Sequence, residues 1–257
     1  MSETLVRPRY RLFVEADLAE GAAVDLPQAQ AHYLGTVMRA KEGEAVALFN
    51  GRDGEWRAEI ARVSKKAATL TVAGRMRPQA TGPDAWLCFA PLKKDATDMV
   101  VQKAVELGVS RLQPVMTART NAARFNAERA RANAIEAAEQ CERLTVPEVA
   151  EPVSLPDLLA GWSERAPGRP LFIADETGRG TPLPDVAAGS GGAIAAFLIG
   201  PEGGFAQSEL DHLRRLDFVV PVGLGPRILR AETAALAALT VWQAVRGDWQ
   251  SGGPAFR

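Results

Sequence analysis

The chain has 257 residues, enough for one large domain or two modest ones. Its 30 Lys and Arg nearly balance 31 Asp and Glu, and 47% of residues are hydrophobic. This excludes a disordered chain, and the total lacks the basic excess usual in nucleic-acid binders, although a total does not say where the charges sit.

The opening residues, MSETLVRPRYRLFVEADLAE, hold no apolar segment of the secretory type. The longest apolar run, Ala193 to Ile199, falls far short of the roughly 18 residues of a membrane span. Cys88 and Cys141 fall in a strand-like and a helix-like context without metal-binding spacing. The expectation is a soluble cytoplasmic protein with two buried thiols and no metal.

Residues 1–76 read mostly as short strands. Arg11 to Glu15 and Ala45 to Phe49 are strands, the second followed by turn signals at Asn50-Gly51 and Asp53-Gly54. Glu55 to Val63 sets Trp56, Ala58 and Ile60 at period two, and Ala68 to Val72 repeats the pattern. One helix, Pro27 to Val37, interrupts them. Several strands and one helix predict a small β-barrel over 1–76. Residues 77–84, with Pro78, Gly82 and Pro83, read as a linker.

From 85 onward, strand and helix alternate. Strands are predicted at Trp86 to Ala90, Arg111 to Met116, Leu171 to Ala174, Ala193 to Ile199 and Phe218 to Leu224. Helices are predicted at Ala96 to Leu107, Asn126 to Arg143, Leu155 to Trp162, Ala206 to Leu216 and Ala231 to Val245. The alternation implies a parallel sheet with helices on both faces, hence an α/β class. The tail, 250–257, reads as loose.

Glycine is placed unusually. The first α/β strand runs into Ala90-Pro91-Leu92-Lys93-Lys94-Asp95, with none of the glycines of a dinucleotide-binding turn. Glycine loops follow two later strands instead: IGPEGGF at 199–205 and LGPRILRAETA at 224–234. Both are strand-to-helix junctions, where parallel sheets bind ligands and where glycine lets backbone approach a ligand. Neither contains GxxxxGK[ST], which excludes a P-loop.

These two motifs in order resemble the C-terminal signature of the SPOUT methyltransferases, and more narrowly the ribosomal RNA small subunit methyltransferase E family. The resemblance extends to Arg11-Leu12-Phe13-Val14, to His32-Tyr33-Leu34 with Val37-Met38-Arg39 and Gly43, to KAVELGV at 103–109, and to Glu136–Gln140 with Arg143 and Pro147. Met38 replaces the usual Leu, and Glu128 to Arg131 depart from the family's R-W pair. The resemblance implies a PUA-like RNA-binding barrel (1–76), a linker (77–84), and a SPOUT domain (85–257) whose C-terminal part forms a deep trefoil knot. It also implies S-adenosyl-L-methionine as cofactor, a homodimer, and 16S rRNA in the 30S subunit as partner, methylated at N3 of uridine 1498.

The residues suit such a cofactor. Leu198, Ile199, Leu224, Ile228 and Leu229 can wall an adenine, while Gly200, Pro201, Gly203, Gly204 and Gly225 leave backbone accessible; Thr233 and Ala234 open the last helix. Methyl transfer to N3 requires in-line positioning and removal of the N3 proton. Arg230 is the preferred catalytic side chain, set to stabilise charge developing on the uracil imide. Glu202 and Glu232 either assist the proton or serve locally, Glu202 fixing its loop and Glu232 complementing a helix dipole.

For RNA, Arg7, Arg9 and Arg11 face only Glu3 within residues 1–14, and five arginines lie between Arg111 and Arg131 against the single acid Glu128. Such local excess suits phosphate contacts. The family match adds His32, Arg39, Lys93, Lys94 and Arg119, and Tyr10 and Tyr33 either stack on bases or fill the barrel core. The competing readings are a SPOUT enzyme acting on tRNA or 23S rRNA, a non-enzymatic ribosome-assembly factor, and a metabolic α/β enzyme.

Overall fold

A computed structural model describes residues 7–121 and 124–250. Two compact units emerge: one takes in residues up to Thr81 together with Ala138–Thr145, the other Gly82–Ala137 and the chain from Val146. A purely sequential division does not anticipate the return of residues 138–145 to the first unit. Glu3 and nearly all of the expected loose tail lie outside the described residues. Gln250, at the tail's start, ends a 3-10 turn (Asp248–Gln250) and donates to the Ala244 and Val245 carbonyls.

In the first unit, β1 (Tyr10–Phe13), β2 (Ala23–Leu26), β3 (Ala45–Phe49), β4 (Glu55–Val63) and β5 (Ala68–Arg77) form one sheet in the order β1-β3-β4-β5-β2. β1 runs parallel to β3; the other pairs are antiparallel. The period-two pattern of β4 sends Ala58 and Ile60 into a core shared with Leu12, Val24, Leu48, Leu70 and Val72. Three register shifts between β4 and β5 bend the pair, as bulges do. β5 continues through Arg77, so the expected linker begins later than its sequence suggests. The first strand is shorter than expected, and β2 is an additional strand.

The expected Pro27 to Val37 helix is composite. α1 (Gln28–His32) runs into a π-helical turn (Tyr33–Val37) in which the Met38 N–H donates to the Tyr33 carbonyl at 2.9 Å. Arg39 then takes φ +55, a conformation that disfavours a side chain.

Residues 138–145 are fixed by a buried charge cluster. Glu55, its side chain 7% exposed, accepts from Arg11 Nε at 2.6 Å and from Arg77 Nε and Nη2 at 2.7 and 2.8 Å. Arg11 reaches on to the carbonyls of Ala138 (2.7 Å) and Arg143 (2.8 Å), and Arg77 to that of Glu142 (2.9 Å). Burial pushes the Glu55 carboxyl up, but the two guanidinium groups outweigh it and hold it below the ordinary range.

The second unit contains β6 (Ala85–Phe89), α2 (Lys94–Glu106), β7 (Arg111–Met116), α3 (Ala127–Cys141, whose last residues count with the first unit), β8 (Glu148–Val149), β9 (Val153–Ser154), α4 (Leu155–Ala160) and α5 (Trp162–Arg165). It continues through β10 (Leu171–Ala174), β11 (Thr181–Pro182), α6 (Leu183–Gly189), β12 (Ala195–Ile199), α7 (Gln207–Leu213), β13 (Val219–Gly223) and α8 (Ala231–Val245). The strands order as β11-β13-β10-β12-β6-β7-β8, with β9 also on β7, and every pairing is parallel.

Alternate residues feed two faces. Leu171, Ile173, Ala196 and Leu198 join Leu158, Trp162, Leu210 and Leu213 in one core cluster. Phe172 and Phe197 point the other way, their rings 5.6 and 5.7 Å from that of Trp242 in α8. Helices thus cover both faces, as near-continuous apolar strands require. Cys88 is fully buried and burial pushes its thiol up to about 12; Cys141, expected buried, is exposed at the end of α3.

Removing the Glu55 carboxylate strands two arginines. Glu55→Ala is expected to destabilise by about 3–5 kcal/mol. Because folding depresses its pKa, the stabilisation is full above the unfolded carboxyl value, about 4.3, and falls as pH drops toward the folded value. Urea midpoints against pH check both: the wild type loses stability on acidification, and the variant loses less.

Candidate functional site

Since every strand pairing of the second unit is parallel, the loops after β6, β7, β10, β12 and β13 leave from one edge. Both glycine loops lie there, joined by Lys93 and Lys94 after β6 and Arg119 after β7, all three exposed.

The loop after β12 is built by local sterics. Pro201 is buried and its carbonyl accepts the Gly204 N–H at 2.9 Å, closing a turn that exposes Glu202 and Gly203. Gly204 takes φ +64, and a Cβ there would collide with the Glu176 carboxylate. A Cβ on Gly200 would press on the Phe205 ring at 3.0 Å. Arg119 Nη1 donates to the Gly203 carbonyl at 2.9 Å, which places this RNA-binding candidate on the glycine loop itself.

The loop after β13 is more open. Gly225 takes φ +104 with nothing within 4 Å of where a Cβ would stand. Ile228 is 86% exposed, and Leu224 and Leu229 are half-buried beside it. An exposed apolar side chain beside bare backbone fits a flat heterocycle with polar edges. Arg230 is the exposed residue before α8; Glu232 is half-buried in its first turn, Thr233 exposed and Ala234 buried. Leu198 and Ile199, expected to face the same ligand, are buried, Leu198 inside the core cluster with Phe205.

Sequence reasoning passed over a third loop, residues 175–180, which follows β10. Because β10 lies between β12 and β13, this loop emerges between the two glycine loops. Asp175, its side chain fully buried, accepts from Thr177 N–H (2.9 Å), Thr177 Oγ1 (2.6 Å) and Arg214 Nη2 (2.8 Å). Burial raises its pKa, yet these donors outweigh burial and keep the carboxyl below its ordinary range. Gly180 packs so closely on β13 that a Cβ would stand 2.5 Å from the Val222 carbonyl carbon. The only hint in the sequence is the polar DETGRG run directly after an apolar strand.

The RNA-binding candidates of the first unit divide. Arg7, Arg9, His32 and Arg39 are exposed, with Arg7 paired to Glu142 and Arg9 5.5 Å from the Tyr10 ring. Arg11 is a correction: its guanidinium lies 3.7 Å from the Phe49 ring centroid and is committed to Glu55 and three carbonyls. Tyr10 is buried, whereas Tyr33 is 39% exposed. A cleft of about 380 Å³ is lined by Arg7, Arg9, Tyr10, Tyr33, Met38 and neighbours. In the second unit Arg111 pairs with Glu148 and Arg129 with Asp98, so both are partly neutralised. Among the described residues no His, Cys, Asp and Glu cluster fits a metal, and no helix is long and apolar enough to cross a membrane.

A family model of RNA methyltransferase domains matches residues 80–243, and one of RNA methyltransferase PUA domains matches residues 26–73. The chain is 31% identical to a ribosomal RNA small subunit methyltransferase E of a Synechocystis species, over 90% of this chain and 76% of the relative. A methyltransferase from Legionella pneumophila, solved with bound SAM, superposes with a TM-score of 0.84 at 31% identity, covering 95% of this chain and 100% of that one. A ribosomal RNA small subunit methyltransferase E from Neisseria gonorrhoeae, bound to S-adenosyl methionine, gives 0.83 at 30% identity, covering 93% and 99%.

The Asp175–Arg214 pair anchors the middle loop. Asp175→Ala is expected to accelerate amide exchange at Thr177 by at least about 10-fold, since the amide loses its acceptor and the loop its anchor. Hydrogen exchange followed by mass spectrometry reads this directly, and unchanged exchange would show the loop held by other contacts.

Proposed function

Because the chain belongs to the ribosomal RNA small subunit methyltransferase E family, we propose that it transfers a methyl group from S-adenosyl-L-methionine to N3 of a uridine in 16S rRNA, uridine 1498 by the family's resemblance. The supporting observation is the sheet edge that carries both IGPEGGF and LGPRILRAETA, with exposed backbone and exposed apolar surface. The assembled 30S subunit is the substrate in this reading, and a cytoplasmic homodimer the working form. The reading includes the trefoil knot, formed by the chain beyond β12.

The bound donor supplies an electrophilic methyl on its sulfonium. Gly200, Gly203, Gly204 and Gly225 offer it backbone, while Leu224, Ile228 and Leu229 offer apolar contact. Arg230 stands exposed at the mouth of the second loop, placed to hold negative charge on the uracil imide once N3 loses its proton. Glu202 is exposed and Glu232 half-buried, so solvent or substrate reaches either. Lys93, Lys94 and Arg119 line the same edge and suit phosphates flanking the target. The first unit contributes Arg7, Arg9, His32 and Arg39, with Tyr33 as a stacking platform.

Labelled-methyl transfer to 30S particles, naked 16S rRNA, 23S rRNA and tRNA, followed by nucleoside mapping, tests the reaction. The expected product is 3-methyluridine in 16S rRNA, formed best on 30S particles. Label only in tRNA or 23S rRNA overturns it. Arg230→Ala is expected to abolish transfer while cofactor affinity stays within about threefold. Arg39→Gly is expected to leave stability within about 0.5 kcal/mol, relief of positive-φ strain offsetting the flexibility gained by the unfolded chain. The same change should lower RNA affinity and reduce the slope of log affinity against log salt by about one.

A further inference from the structure

Exposed carboxylates at the sheet edge include Glu176 and Glu202, and Glu176 is the one carried on the middle loop. It makes neither ion pair nor side-chain hydrogen bond among the described residues, although Asp175 beside it makes three. It does not project freely into solvent. Its carboxylate lies against Gly204, in the space a Cβ would fill, and Gly204 is held in the left-handed region by its own turn. The position is fixed from two sides. Asp175 anchors the start of the loop through Thr177 and Arg214 and through its own N–H to the Val222 carbonyl (2.9 Å), and Gly180 fastens the end against Val222 and Gly223. A charged acceptor is therefore carried on a braced loop between two glycine loops, with no donor from the protein.

Such an acceptor calls for hydrogen-bond donors on the ligand. S-adenosylmethionine has three groups of that kind, the ribose diol, the α-ammonium and the adenine 6-amino group. The diol offers two O–H donors to two carboxylate oxygens, the pairing by which acidic residues at the edges of parallel sheets hold nucleotide ribose. Resting on the methyl-donor reading above, we propose that Glu176 binds the ribose hydroxyls of the donor, and that Asp175 is the positioning residue that holds it over Gly204. The third loop is thereby part of the binding site, and Gly204 is required for the approach of an acidic side chain as well as for its turn.

The test is calorimetry with S-adenosylhomocysteine and with its 2′,3′-dideoxy counterpart, on the full chain. Glu176→Ala is expected to weaken S-adenosylhomocysteine about 10- to 100-fold, the range for hydrogen bonds to a charged group, and to leave the dideoxy compound unaffected. Glu176→Gln should fall between, and Asp175→Asn should erode the same ribose discrimination. A Glu176→Ala protein that binds both compounds as the wild type does, or loses both equally, overturns the assignment; equal loss together with indifference to a desamino analogue transfers the role to the ammonium. Thermal melting confirms that the exposed substitution leaves the fold intact. Wild-type protein that binds neither S-adenosylhomocysteine nor S-adenosylmethionine contradicts the methyl-donor reading itself, a result distinct from failure at Glu176.

Discussion

The site depends on one feature of strand order: β10 pairs with β12 on one side and β13 on the other. A parallel sheet sends every strand-to-helix loop to the same edge, but order decides which loops meet. Here the two glycine loops are separated by a strand that precedes both in sequence. The loop after that strand fills the gap between them, and its contacts show how tightly: Glu176 against Gly204, Gly180 against Val222 and Gly223. If β12 and β13 were direct neighbours, the glycine loops would face each other without an acidic residue between them.

Arginine is consumed inside the molecule as well as displayed on it. Glu55 takes Arg11 and Arg77, Asp84 takes Arg169, and Asp175 takes Arg214. In all three, burial works against the ionised carboxyl and hydrogen bonds from guanidinium and neighbouring donors prevail. Such pairs are weak evidence for net stability, because desolvation offsets much of their attraction. Their geometry is more telling, since each guanidinium joins segments far apart in sequence: Arg11 reaches 44 residues to Glu55 and Arg214 reaches 39 back to Asp175. A near-neutral chain thus displays fewer free cations than its 30 basic residues suggest. Exposed cations at the sheet edge include Lys93, Lys94, Arg179, Arg227 and Arg230, while Arg119 there is bonded to the Gly203 carbonyl.

Local patterns carried much of this into the sequence. β7, β10 and α8 have the bounds that apolar runs and helical spacing predict, because their burial is dictated by residues within each segment. Both glycine loops were legible for the same reason. What was not legible is long-range. Arg11 reads as a docking cation beside Arg7 and Arg9, and only a carboxylate 44 residues away turns it inward. DETGRG reads as an ordinary turn until strand order places it between the glycine loops. Cys141 ends an amphipathic helix whose last turn buries Ala138 but leaves Gln140 and Cys141 exposed, and composition alone cannot give that phase. The π-helical turn escaped because its extra residue per turn leaves the apolar spacing of Ala31 and Leu34 intact.

That turn shows why a local rule can be broken usefully. Arg39 in the left-handed region is disfavoured by about 1 kcal/mol relative to ordinary backbone. Glycine would remove the strain and the cation together. The conformation holds because Leu34 and Ala40 are buried on either side and the Ala40 N–H donates to the Leu34 carbonyl at 2.9 Å. The same anchors leave His32, Tyr33, Val37 and Arg39 at the surface in a fixed array. Side chains held this way have less conformational entropy left to lose on contact with any ligand than side chains on a free loop, so backbone strain at one residue is exchanged for preorganisation of four. At the sheet edge Gly204 follows the same logic with the opposite residue: there the left-handed position must lack a side chain, because the space belongs to Glu176.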